Sequence, residues 1–157
     1  MSIKVLVVDD HDLVRMGIAR MLDDDAQIEV IAEADNGDAA VQLARQHRPD
    51  VVLLDVNMPN VGGVEATRRI KQIDQNIKVL AVSSLSAQPY PSMLLKAGVN
   101  GYITTGTPLD EMIRANKKVH GGGKYFSHDV AEQLADTVLG EQADSPFDAL
   151  SEREKQV

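Results

Sequence analysis

The feature that most constrains the fold is an alternation of short aliphatic runs with segments whose apolar residues recur at helical spacing. The run from Ile3 to Val8 stops abruptly at Asp9 and Asp10, as a strand buried on both faces of a parallel sheet does. Leu13, Val14, Gly17, Ile18, Met21 and Leu22 then share a helical side, with Asp12 as the expected N-cap and Asp23-Asp24-Asp25 as the break. Residues 28–32 read as a second strand and residues 39–44 as the apolar face of a second helix, and Pro49-Asp50 punctuates before a third strand at 51–54. The pattern continues with helices at 63–73, 90–97 and 108–119 and strands at 79–82 and 99–103. Gly98 reads as a C-cap, Pro108 as an early helical residue, and Gly121-Gly122-Gly123 as the end of the last helix.

Strict alternation with short links implies an α/β fold, a doubly wound parallel sheet of five strands covered by five helices. In such folds ligands sit outside the carboxyl ends of the strands. Residues 1–120 make this domain. Residues 121–149 read as a linker with one amphipathic helix at 128–139. Ser151 followed by Glu154 forms a capping-box pattern, so residues 150–157 are expected to open a further domain.

Composition narrows the function. With no cysteine, disulfide frameworks and thiolate metal sites are excluded. A net charge of -8 and 3% aromatic residues argue against a nucleic-acid surface or base-stacking platform in the residues present. The longest aliphatic runs, such as Val51-Val52-Leu53-Leu54, fall far short of the ~20 residues of a membrane span, so the expected location is cytoplasmic, away from membranes.

The chemistry concentrates in three aspartates. Asp9 and Asp10 close the first strand and Asp55 the third, strands that are neighbours in this fold. A lone Asp at a strand end usually caps a helix. Three together repel one another by about 4 kcal/mol per pair at ~4 Å and an effective dielectric near 20, which calls for a bound cation or a raised pKa. Hard oxygen ligands with no His or Cys counted among them point to Mg2+, and a carboxylate beside Mg2+ can become a phosphoryl acceptor.

The phrases Val8-Asp9-Asp10-His11-Asp12-Leu13-Val14-Arg15, Asp55-Val56-Asn57-Met58-Pro59 with Gly62-Gly63, and Gly63-Val64-Glu65-Ala66-Thr67-Arg68 resemble the receiver domain of two-component response regulators. They look like the NarL/FixJ branch and are similar to its GacA/UvrY-type regulators. Residues 150–157 resemble the opening of that branch's LuxR-type helix-turn-helix. The resemblance implies a flavodoxin/CheY-like strand order of 2-1-3-4-5 and phosphorylation of Asp55 by a sensor histidine kinase. It also implies Mg2+ held by Asp10, Asp55 and the backbone carbonyl of Asn57, with Asp9 acting through water. Ser83 and Tyr102 match the switch pair, with Ser84 as the competitor for Ser83. Promoter DNA would be bound by a C-terminal domain beyond this chain, and a homodimer could form on phosphorylation.

The family typically presents a lysine three residues after the switch aromatic, and here Thr105 stands in that place. A hydroxyl would replace a charge-assisted bond of about 1.5–3 kcal/mol by one of about 1 kcal/mol. This substitution motivates a second reading, a pseudo-receiver that works as an interaction module without phosphorylation. A third reading, a small-molecule phosphotransferase, lacks an obvious general acid because Asn57 stands two residues after Asp55. His11, His47, His120 and His128 lack zinc-ligand spacing, and His11 reads as a polar rim residue. Gly121-Gly122-Gly123-Lys124 reads as a turn, not a phosphate loop.

Overall fold

The computed structural model describes residues 2–58, 62–83, 90–127 and 131–132. Its elements alternate from β1 (Ile3–Val8), α1 (Asp12–Asp23), β2 (Ile28–Ala34), α2 (Gly37–His47), β3 (Val51–Asp55) and α3 (Gly63–Ile73) to β4 (Lys78–Ser83), α4 (Tyr90–Ala97), β5 (Gly101–Thr104), α5 (Leu109–His120) and β6 (Tyr125–Phe126). The strands form one parallel sheet in the order β2-β1-β3-β4-β5-β6. The order reverses direction at β1, which leaves the carboxyl ends of β1 and β3 side by side as the place where a ligand fits.

Side chains two residues apart on a strand share a sheet face, and that period sorts the core into two layers. Leu6, Val8, Val52, Leu54, Val79 and Ala81 pack with Ala40, Ala44, Ala66, Ile70 and Leu94 from α2, α3 and α4. Val5, Val7, Val51, Leu53, Leu80 and Val82 pack instead with Ala19, Leu22, Met112, Ala115 and Val119 from α1 and α5. Both faces of the central strands are therefore dry, which is why those strands read as continuous aliphatic runs.

Helix ends follow local chemistry. Asn36 caps α2 by accepting the Ala39 N–H at 2.8 Å, and the helix stops at Arg48, whose φ of 49° precedes Pro49. Gly98 ends α4 with φ 111°, as its position suggested, and the N–H groups of Gly122 and Gly123 fold back onto Val119 and Lys118 after α5.

Four expectations need correction. The sheet has a sixth strand, β6, which two residues are too few to reveal by alternation. Asp12 is the first residue of α1 and not its cap; the extended residue before it, His11, holds the cap position without a capping side-chain bond, and the Asp12 carboxylate pairs with Arg15 at 2.8 Å. The fifth strand starts at Gly101, since Val99 belongs to the turn in which its N–H reaches the Leu94 carbonyl. The fifth helix starts at Leu109, and Pro108 stays extended as its N-cap. Ala131 and Glu132 are helical, but the rest of the expected helix at 128–139, the linker, residues 150–157 and Ser84 lie outside the described residues.

Candidate functional site

Parallel pairing of Val8 with Leu54 brings the next residues, Asp9 and Asp55, out of the sheet together. Each is 7% exposed. Asp9 Oδ1 accepts the His11 backbone N–H at 2.8 Å and lies 3.0 Å from His11 Nδ1. Arg15, one turn into α1, donates from Nη1 to the Asp9 carbonyl at 3.0 Å and from Nε to Glu33 at 3.1 Å, tying the loop after β1 to β2. Asp55 Oδ1 accepts the Asn57 N–H at 2.9 Å, so the chain after β3 folds back over the carboxylate. The Asn57 side chain in turn accepts from Ser83 Oγ at 3.4 Å.

One carboxylate oxygen each from Asp9, Asp10 and Asp55, with a ring nitrogen of His11, lie within 4.8 Å of one another. Burial, followed by repulsion from Asp9 and Asp10, pushes Asp55 up to about 6 against the downward pull of the Asn57 N–H. The hydrogen bond to Asp9, then the charges of Asp10 and Asp9, raise His11. Asp10 Oδ1 is buried without a hydrogen bond. His11 Nδ1 is 3.1 Å from it, yet the same nitrogen sits 3.0 Å from Asp9 Oδ1, and one N–H cannot serve both acceptors. An orphaned buried oxygen facing two further carboxylates is what a hard divalent cation satisfies, so these residues fit Mg2+.

The strand register places the remaining candidates. Ser83, at the end of β4, is 2% exposed and pairs with Thr104, while Ala81 pairs with Tyr102. Ser83 and Tyr102 thus lie on one sheet face, a single step apart diagonally, and Tyr102 is already inward at 1% exposure. Thr105 continues the ladder by donating its N–H to the Ser83 carbonyl at 2.9 Å, with its side chain exposed at the same rim.

Two participants, Arg15 and Thr104, were not assigned roles from the sequence, and a third, His11, was read only as a polar rim residue. Arg15 organises the loop after β1, and its i, i+3 spacing from Asp12 was the available signal. Thr104 is a buried polar residue paired with Ser83 across β4 and β5, a placement that only pairing reveals. His11 lies between two carboxylates and not merely on the rim.

Residues 5–117 match the response regulator receiver domain family. The response regulator GacA of Pseudomonas aeruginosa is 50% identical over 156 residues, spanning 99% of this chain and 73% of that protein. The response regulator UvrY of Escherichia coli is 41% identical over 156 residues, spanning 99% and 72%. Among solved structures, a LuxR-family two-component response regulator from Aurantimonas sp. superposes with a TM-score of 0.82 at 30% identity, covering 88% of this chain and 99% of that one. The receiver domain of a NarL-type regulator from Mycobacterium tuberculosis gives 0.73 at 30% identity, covering 77% and 98%.

Proposed function

The chain belongs to the response regulator receiver domain family, as a homologue of the two-component regulators GacA and UvrY, and on that premise we propose that Asp55 is its phosphoacceptor. The observation that supports this assignment is the site's asymmetry: of three clustered carboxylates, Asp55 is the one held at the strand end between Asn57 and the other two.

In the proposed reaction an Asp55 carboxylate oxygen attacks the phosphorus of a phosphohistidine on a sensor kinase. The P–O bond forms as the P–N bond breaks, and the leaving imidazole takes a proton from solvent. Asp10, Asp55 and the Asn57 carbonyl would hold Mg2+, with Asp9 acting through water. The ion would supply charge neutralisation for the transferred group. At neutral pH a carboxyl at about 6 is mostly ionised, so Asp55 is available as a nucleophile. The phosphoryl group adds about -1.5 to -2 charge and strong acceptors, which draw the Ser83 hydroxyl from Asn57 and bias the packing of Tyr102 beside it.

The output is control of transcription through promoter DNA bound by a C-terminal domain, with a phosphorylation-dependent homodimer as the intermediate step and the cytoplasm as its setting. No helix of the described residues is long and apolar enough to cross a membrane. Intact Asp9, Asp10 and Asp55 favour this reading over the pseudo-receiver that Thr105 suggested.

Intact mass after incubation with acetyl phosphate and Mg2+ tests the proposal. One phosphoryl adduct is expected, absent in Asp55→Ala and in metal-free buffer. An adduct of equal yield on Asp55→Ala would assign the acceptor elsewhere.

A further inference from the structure

One group in the acidic site has no part in the chemistry above. His11 extends the β1 strand end with φ -93° and ψ 103°, and its side chain is 68% exposed, so packing does not dictate where the ring points. Its Nδ1 nevertheless sits 3.0 Å from Asp9 Oδ1 and 3.1 Å from Asp10 Oδ1. The backbone N–H of the same residue, bonded to Asp9 Oδ1 at 2.8 Å, anchors the base of the side chain over that carboxylate.

We propose that His11 Nδ1 is a metal ligand of this site, added to the carboxylates of Asp10 and Asp55, and that it tunes the site toward nitrogen-accepting divalent ions such as Zn2+. The inference rests on the reading of those aspartates as the ion site. Ligand atoms ~2.0–2.2 Å from one ion lie up to about 4.4 Å apart across it. The four donor atoms here already fall within 4.8 Å, so a shift of tenths of an ångström suffices. As a hydrogen-bond donor Nδ1 satisfies one carboxylate and leaves the buried Asp10 Oδ1 bare. As a ligand, with its proton on Nε2 in solvent, it lets a single cation serve the bare Asp10 Oδ1 together with Asp55. Mg2+ gains little from a nitrogen donor, whereas imidazole suits Zn2+ well. The selectivity of the site therefore depends on His11.

Calorimetric titration of the full chain with ZnCl2 and with MgCl2 at one pH tests this, comparing wild type with His11→Ala and His11→Gln. Asp10→Asn/Asp55→Asn serves to subtract zinc held by His47, His120 and His128. Both His11 variants are expected to lose at least about 10-fold in site-specific Zn2+ affinity while keeping Mg2+ affinity within about 2-fold. Nitrogen-15 spectra of the histidine rings should show Zn2+ moving the His11 Nδ1 resonance more than Nε2. Unchanged Zn2+ affinity in both variants, or an unmoved Nδ1 resonance, overturns the role of His11 even if Mg2+ binding is lost in the double Asp variant. If the double variant binds both ions as tightly as wild type, the ion-site reading itself fails.

Discussion

Asp55 illustrates how a single residue's environment sets its chemistry. Burial first, then the neighbouring Asp9 and Asp10, lift its carboxyl from 3.8 to about 6. Its folded pKa lies above the unfolded one, so the native state binds the extra proton between those values and Asp55 favours folding most below pH 3.8. That contribution fades as pH rises through about 6. In metal-free buffer, thermal unfolding should therefore show wild type losing stability relative to Asp55→Asn between about pH 4 and 6.5, and Mg2+ should shrink the difference. A pH-independent difference between the two proteins would contradict the raised carboxyl.

Thr105 poses the complementary question at the other side of the rim. In the proposed site its hydroxyl would take the place of the family's ammonium beside the phosphoryl group, and a charge-assisted bond exceeds a neutral one by roughly 1 kcal/mol or more. Thr105→Lys is expected to raise the steady-state phosphoryl adduct with acetyl phosphate severalfold, read by intact mass. An unchanged yield would show that the site compensates for the missing lysine by other contacts.

Elements position these residues through a few steric and polar constraints. The first residue of α3 is glycine because a Cβ at position 63 would lie 2.6 Å from Val56 Cα, immediately after the strand that ends at Asp55. Gly63→Ala must push α3 and the strand end apart. It should cost about 1–3 kcal/mol in denaturant unfolding and weaken Mg2+ binding, because Asn57 and Asp55 move with Val56. A neutral variant would show that this junction is more pliant than its packing indicates. On the helix's inner side, Thr67 Oγ1 is buried without a hydrogen bond. Thr67→Val is therefore expected to stabilise the fold by about 1 kcal/mol in the same measurement, and a destabilised variant would reveal a partner for the hydroxyl.

At this scale the sequence was legible wherever a signal is local. Helices betrayed themselves by the 3.6-residue period and their stops by Gly98 and Pro49. The errors fell where competition decides. Asp12 has the right chemistry for a cap, but it is the first residue of the helix and its carboxylate pairs with Arg15. Tyr125 and Phe126 form a strand only because the edge of β5 offers them carbonyl and N–H partners.

At the scale of the whole molecule, one continuous core packs between the candidate site and α4. Ser83 and Tyr102 belong to β4 and β5, and the core beneath Tyr102 is continuous with α4 through Leu94. If Asp55 is the phosphoacceptor proposed above, a two-state rearrangement there would have a packed route to the outer face of the domain, and phosphorylation would act by shifting that equilibrium. Sedimentation velocity should show a larger species in acetyl phosphate and Mg2+ than in Mg2+ alone, with Asp55→Ala unresponsive. A monomer under every condition would mean that this chain transmits its signal without dimerising.

The sequence by itself determined the parallel α/β layering and the placement of Asp9, Asp10 and Asp55 at strand ends, because hydrophobic period and the abrupt change from aliphatic to charged residues are properties of consecutive positions. The resemblance already implied that β1 and β3 are neighbours; only the tertiary structure decided the register that puts Ser83 and Tyr102 on one face and the placement of His11 between two carboxylates. Those relations depend on strand order, register and competition for buried donors, which arise between residues far apart in the chain and leave no periodic trace along it.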